Sequence, residues 1–118
     1  MIFLDTCILI DYSRNIIDIE ADKKNEYCFS TIVELEFIVG AQNKRELKKI
    51  NSLTSGFNIV DTDQDIMDLA TILINRYALS HNMTVYDAII AATCLIYNLP
   101  LWTLNTKDFK YIDGLELL

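Results

Sequence analysis

Ile2-Phe3-Leu4-Asp5-Thr6-Cys7-Ile8-Leu9-Ile10-Asp11 decides the fold class. Three apolar residues run into an acid, the pattern of a short buried strand with Asp5 at its C-terminal end. Ile8, Leu9 and Tyr12 then recur at helical spacing, which predicts a helix over residues 6–14. The same change of period repeats downstream. Residues 27–29 read as a short strand, 31–40 as a helix with Gly40 near its end, and 44–53 as a second, basic helix. Gly56 breaks the pattern before a strand at 57–60. A long amphipathic helix follows over 63–79, with Ile66, Leu69, Ala70, Leu73 and Tyr77 on one face. A polar loop at 80–84 leads into a strongly apolar helix at 85–97. Residues 99–103 form a turn entering a strand, 105–108 a polar turn, and 115–118 a last edge strand. Alternating strands and helices predict an α/β fold with a mostly parallel central sheet flanked by helices.

In such a sheet ligands gather beyond the C-terminal ends of the strands. Asp5 falls there directly. Glu34 falls there in the first turn of the helix that begins near Thr31, and Asp87 in the first turn of the helix that begins near Thr84. Asn105 follows the fourth strand. Each acid has a capping alternative: Asp5 can cap the helix at Thr6, and Thr31/Glu34 and Thr84/Asp87 have capping-box spacing. Capping does not account for the apolar flanks, such as Ile89-Ile90-Ala91-Ala92 after Asp87. Acids facing one another at the mouth of a buried helix are favourable only around a cation. Carboxylates and an amide oxygen are hard ligands that suit Mg²⁺ or Mn²⁺, and such a site activates water for phosphodiester hydrolysis. Helix N-termini favour ionised carboxylates, so these acids are expected to be charged at neutral pH.

At 118 residues the chain is the size of one domain. Apolar residues make up 52% and charged residues 23%, enough for a packed core without staples. No apolar run has the length of a membrane span, and the N-terminal residues lack the pattern of a signal peptide. The expected compartment is the cytoplasm, with no membrane partner. Three scattered cysteines without a Cys-x-x-Cys pair argue against a disulfide framework or a zinc site. The net charge of −7 by itself opposes nucleic-acid binding. A divalent cation among the acids reverses the sign locally.

Four segments, in order, resemble the PIN-domain nucleases and, within them, the VapC toxins of bacterial and archaeal toxin–antitoxin pairs. They are Leu4-Asp5-Thr6-Cys7-Ile8-Leu9-Ile10-Asp11, Ser30-Thr31-Ile32-Val33-Glu34-Leu35, Asp87-Ala88-Ile89-Ile90-Ala91-Ala92 and Leu101-Trp102-Thr103-Leu104-Asn105-Thr106-Lys107-Asp108-Phe109. The resemblance implies a three-layer PIN-like fold and a metal site of Asp5, Glu34 and Asp87. It also implies that Thr6, Ser30 and Thr103 support these acids by hydrogen bonds, and that Asn105 stands where many relatives carry a fourth acid. It implies an endoribonuclease acting on RNA, a homodimer, and an inhibitory antitoxin protein as partner. Cys7 departs from the pattern, standing where Asn or Ser is common. Asp108 is an alternative acid to Asn105, three residues on.

Asp11 and Glu36 read as solvated or structural acids, His81 as a loop residue and Trp102 as core. Lys44, Arg45, Lys48 and Lys49 read as a solvated helix face or as an RNA-contacting rim beside the acidic cleft. Two other functions fit an Asp after the first strand. A haloacid-dehalogenase-type phosphatase needs a second Asp two positions on, where this chain has Cys7. A non-catalytic PIN-like interaction module is allowed by Asn105 and the acidic charge.

Overall fold

The computed structural model describes all 118 residues. Its chain order is β1 (Ile2–Leu4), α1 (Thr6–Ser13), a 3₁₀ turn (Ala21–Glu26), β2 (Tyr27–Ser30), α2 (Thr31–Val39), α3 (Lys44–Leu53), β3 (Asn58–Val60), α4 (Gln64–His81), α5 (Val85–Tyr97), β4 (Leu101–Trp102) and a second 3₁₀ turn (Thr106–Asp108). The four strands form one parallel sheet in the order β3-β2-β1-β4. The chain winds outward from β1 through β2 to β3, then returns to the far side of β1 as β4. Right-handed crossovers in these two directions put their helices on opposite faces. The pairs in contact agree: α1 packs on α2, and α4 packs on α5.

Local signals account for the helices. Asp63 Oδ1 accepts the Ile66 N–H at 3.0 Å and starts α4, whose buried residues Ile66, Ala70, Leu73 and Tyr77 make one stripe. Thr84 Oγ1 accepts the Asp87 N–H at 3.1 Å and starts α5. Ala88 to Cys94 are all buried, so the middle of α5 is enclosed on every side and its small residues permit close approach to the sheet. Asn82 and Asn98 end α4 and α5 in the left-handed conformation, which Asn tolerates.

Two expectations change. The loop expected from residue 80 begins later, because α4 continues to His81 before Asn82 stops it. The edge strand expected at 115–118 is reduced to a single parallel bridge between Leu101 and Leu117. β4 is only two residues long, so it offers no ladder along which a fifth strand can extend.

Candidate active site

The sheet reverses its direction of travel at β1, and the crevice at such a switch point is where open α/β sheets place their ligands. Phe3 pairs with Cys28 on one side and with Leu101 on the other. Continuing that register by two residues sets Ser30 and Thr103 on either side of Asp5. Asp5 is 4% exposed. Its Oδ1 accepts the Thr6 N–H at 2.8 Å, so the capping role is real. Its Oδ2 accepts the Thr103 hydroxyl at 2.8 Å and the Cys7 thiol at 3.7 Å. Thr103 Oγ1 in turn accepts the Asn105 N–H at 3.0 Å, and the Leu104 N–H donates to Cys7 Sγ at 3.4 Å. Thr103 therefore holds Asp5 through its hydroxyl, and Cys7 belongs to the same layer.

Two expected supports behave differently. The Thr6 side chain does not reach an acid: its hydroxyl pairs with the Tyr86 hydroxyl, tying the start of α1 to the start of α5. Ser30 precedes α2 but makes no capping bond, and its buried Oγ has no hydrogen-bond partner. A buried hydroxyl without a partner is costly unless a water or ligand oxygen meets it.

Electrostatics sort the acids. Burial pushes the Asp5 carboxyl up from its ordinary value, hydrogen bonds from Thr103, Thr6 and Cys7 oppose this, and Asp108 adds to it. Asp87 is pushed up from 3.8 to about 6, first by burial, then by Asp108 and Asp5, with a hydrogen bond to Thr84 opposing. Asp87 at about 6 is still mostly ionised at neutral pH, but desolvation and like charges outweigh the helix N-terminus in setting its pKa. The carboxylate acting on both Asp5 and Asp87 is Asp108, which sequence reading ranked below Asn105 and Glu34. Glu34 is half-buried and is not among the charges acting on either. Sheet order explains the difference. Glu34 follows β2 on one side of β1, whereas Asp108 follows β4 on the other.

No three His, Cys, Asp or Glu side chains stand close enough to hold one ion among them, so the expected three-acid cluster is not assembled. The chain's two ion pairs are Lys23–Glu20 at 3.4 Å and Arg76–Asp113 at 3.8 Å. Asp5, Glu34, Asp87 and Asp108 thus have no cationic side-chain partner. One buried carboxylate (Asp5) without a cation, on the strand beside the unpaired Ser30 hydroxyl and with half-buried Asp87 acted on by it, fits a hydrated divalent ion. Mg²⁺ commonly uses one or two carboxylates and fills its remaining positions with waters and phosphate oxygens.

The basic residues do not rim this crevice. Arg45 and Lys49 line a polar groove of about 710 Å³ with Ser13, Arg14 and Asn15, and Lys49 Nζ donates to the Ser13 carbonyl at 2.8 Å. That groove lies at the C-terminal end of α1, one helix length (about 12 Å for eight residues) from Asp5 at its N-terminus. Lys44 and Lys48 are exposed nearby on α3. The physical reason is that α2 runs back from the crevice before α3 begins. Glu36 is exposed as expected, and Asp11 is half-buried. Trp102 is half-buried, tilted against Tyr27 at 6.1 Å. Asn105 is exposed and its side chain makes no capping bond. Tyr86, which sequence reading passed over, is pushed up by burial, opposed by its bond to Thr6 and reinforced by Asp5, Glu36 and Asp87.

A parallel sheet that reverses its direction of travel at β1, with acids without cationic partners at the C-terminal ends of its strands, makes this an α/β protein of the open, doubly wound kind. The chain belongs to the PIN domain family, whose sequence profile matches residues 2–115. It is 34% identical to a Ribonuclease VapC of Rickettsia bellii over 99% of this chain and 94% of the relative. It is 33% identical to Ribonuclease VapC1 of Methanocaldococcus jannaschii over 98% and 84%. Among solved structures, a toxin–antitoxin complex from Klebsiella pneumoniae contains a chain with TM-score 0.76 and 30% identity, covering 98% of this chain and 95% of that one. No helix here is long and apolar enough to cross a membrane.

Proposed function

We propose that this chain is a divalent-metal-dependent endoribonuclease, the toxin of a toxin–antitoxin pair, working in the cytoplasm. The observation that carries this reading is the Asp5 carboxylate, buried at the sheet's switch point with neutral donors and no cation. The VapC ribonucleases it resembles along nearly their whole length, and the toxin–antitoxin complex, supply the reaction and the partner. Asp5 and Asp87 are the direct ligands of Mg²⁺ or Mn²⁺ in this proposal. Glu34 after β2, and Asn105 and Asp108 after β4, would add further oxygen donors at the same edge of the sheet.

The ion supplies positive charge for the phosphodiester and lowers the pKa of a bound water. The protein's share is positioning. The Thr103 hydroxyl and Thr6 N–H fix both oxygens of Asp5, and Cys7 and Leu104 hold Thr103's strand end against α1. The tie between Thr6 and Tyr86 sets the distance between the starts of α1 and α5, and with it the separation of Asp5 from Asp87. Arg45 and Lys49, with Lys44 and Lys48 beside them, contact the RNA backbone beyond the cleavage point rather than at it.

The test is incubation of the pure protein with mixed cellular RNA. Cleavage that leaves 5′-phosphate ends, stops in EDTA and returns with Mn²⁺ supports the proposal. Cleavage that persists in EDTA after contaminant controls contradicts it.

A further inference from the structure

The only histidine of the chain closes α4, six residues before Asp87, and Tyr111 follows Asp108 by three. Their rings stack with centroids 4.0 Å apart and planes 17° from parallel. Tyr77, one turn earlier on α4, meets both rings at a steep angle, at 5.6 Å from His81 and 5.0 Å from Tyr111. A ring nearly equidistant from both members lies beside the stack, so Tyr77 does not cover the outer face of His81. His81 Nδ1 and Ser80 Oγ are 2.7 Å apart, which fixes the imidazole's rotation. Tyr77 is buried, Tyr111 half-buried and His81 exposed. The result is a rigid aromatic pair with its outer face open. Burial raises the Tyr111 hydroxyl, and Asp87 and Asp108 raise it further, which puts the pair within the field of the crevice acids.

We propose that His81, backed by Tyr111, is a platform on which one unpaired RNA base stacks while the adjoining backbone lies at Asp5 and Asp87. The proposal rests on the ribonuclease reading above. Stacking suits this protein because its net charge of −7 gives little general attraction for phosphate, whereas every base has a π-face and binds an aromatic ring whatever the surrounding charge. It also implies a single-stranded substrate, since a paired base has no free face to offer. The competing role is structural, with the stack fastening the C-terminal segment onto α4. Tyr111 against Tyr77, with buried Ile112 beside them, does that without the outer face of His81.

The experiment compares wild type, His81→Ala and His81→Trp on a short single-stranded RNA that the wild type cleaves, with kcat, KM and melting temperature measured for each. We expect His81→Ala to raise KM by about 5- to 150-fold, the usual worth of one base stack. We expect kcat to hold and His81→Trp to restore KM. Scanning one abasic nucleotide along the substrate should find a position where wild type and His81→Ala become equal. Unchanged KM in His81→Ala overturns the platform, as does a loss tracking a lowered melting temperature that Trp fails to restore. Absence of any RNA cleavage by the wild type overturns the ribonuclease reading, and the platform with it.

Discussion

Asp87→Asn separates a catalytic acid from a helix-start acid by stability alone. In the unfolded chain Asp87 titrates near 3.8, and in the fold at about 6. A carboxyl raised by folding makes the folded state bind its proton more tightly, so stability falls as pH rises from below 4 to above 6 and is level beyond. Two pKa units correspond to about 3 kcal/mol. Asp87 is only half-buried, so solvent screening removes about half of this, and the N-terminus of α5 returns about 0.3–1 kcal/mol to a charged residue in its first turn, leaving about 1 kcal/mol. The substitution keeps the shape and leaves the helix cap intact, because that bond runs from the residue 87 N–H to Thr84 Oγ1. With an unfolding entropy near 0.25 kcal/mol/K for 118 residues, Asp87→Asn should melt about 4 °C above wild type at pH 7.5 in EDTA. The gap should close at pH 4, and Mn²⁺ should stabilise the wild type more than the variant. Calorimetry at both pH values checks this. A variant that melts at or below wild type at pH 7.5, or a gap independent of pH, would refute the reasoning.

Thr103→Val removes the hydroxyl donor from buried Asp5 and should cost about 1–3 kcal/mol together with most RNA cleavage, read by denaturant melts and product gels. Asn105→Asp adds a charge facing the ion and should tighten Mn²⁺ binding; titration calorimetry giving equal or weaker affinity counts against Asn105 facing the metal. Asp108→Asn should lower the pKa of Asp87 more than Glu34→Gln does, as followed by carboxyl NMR titration, because Asp108 is the neighbour that acts on it. The proposed homodimer, carried over from the family resemblance, should scatter light as a dimer at micromolar concentration, and a monomer there removes it.

Much of this was legible in the sequence because side-chain period and capping chemistry are local. The helices at 44–53 and 85–97 coincide with α3 and α5, and Asp5 is readable as an acid at a strand's end. What chain position does not reveal is lateral order. Asp108 and Glu34 both follow strand ends, yet only sheet order tells that they flank β1 from opposite sides. For the same reason the cationic face of α3 is visible as a pattern, but its distance from the crevice is not. Tyr86 is not legible in the sequence because an aromatic next to a helix cap reads equally well as core, and Cys7 is legible only as a departure from the family pattern, not as a thiol that reaches Asp5 and Leu104. Ser30 shows the converse: its position was foreseen, but the capping bond usual at a helix start is not made.

The placement of β4 against β1 carries a consequence for synthesis. The bond from Thr103 to Asp5 joins residues 98 apart in the chain, and β1's second neighbour is the last strand made. A nascent chain interrupted before residue 101 leaves β1 an open edge and Asp5 without the Thr103 hydroxyl. The crevice is therefore assembled only after translation has passed Thr103. A stop codon anywhere upstream disarms the protein, however much of α1 to α5 has already folded.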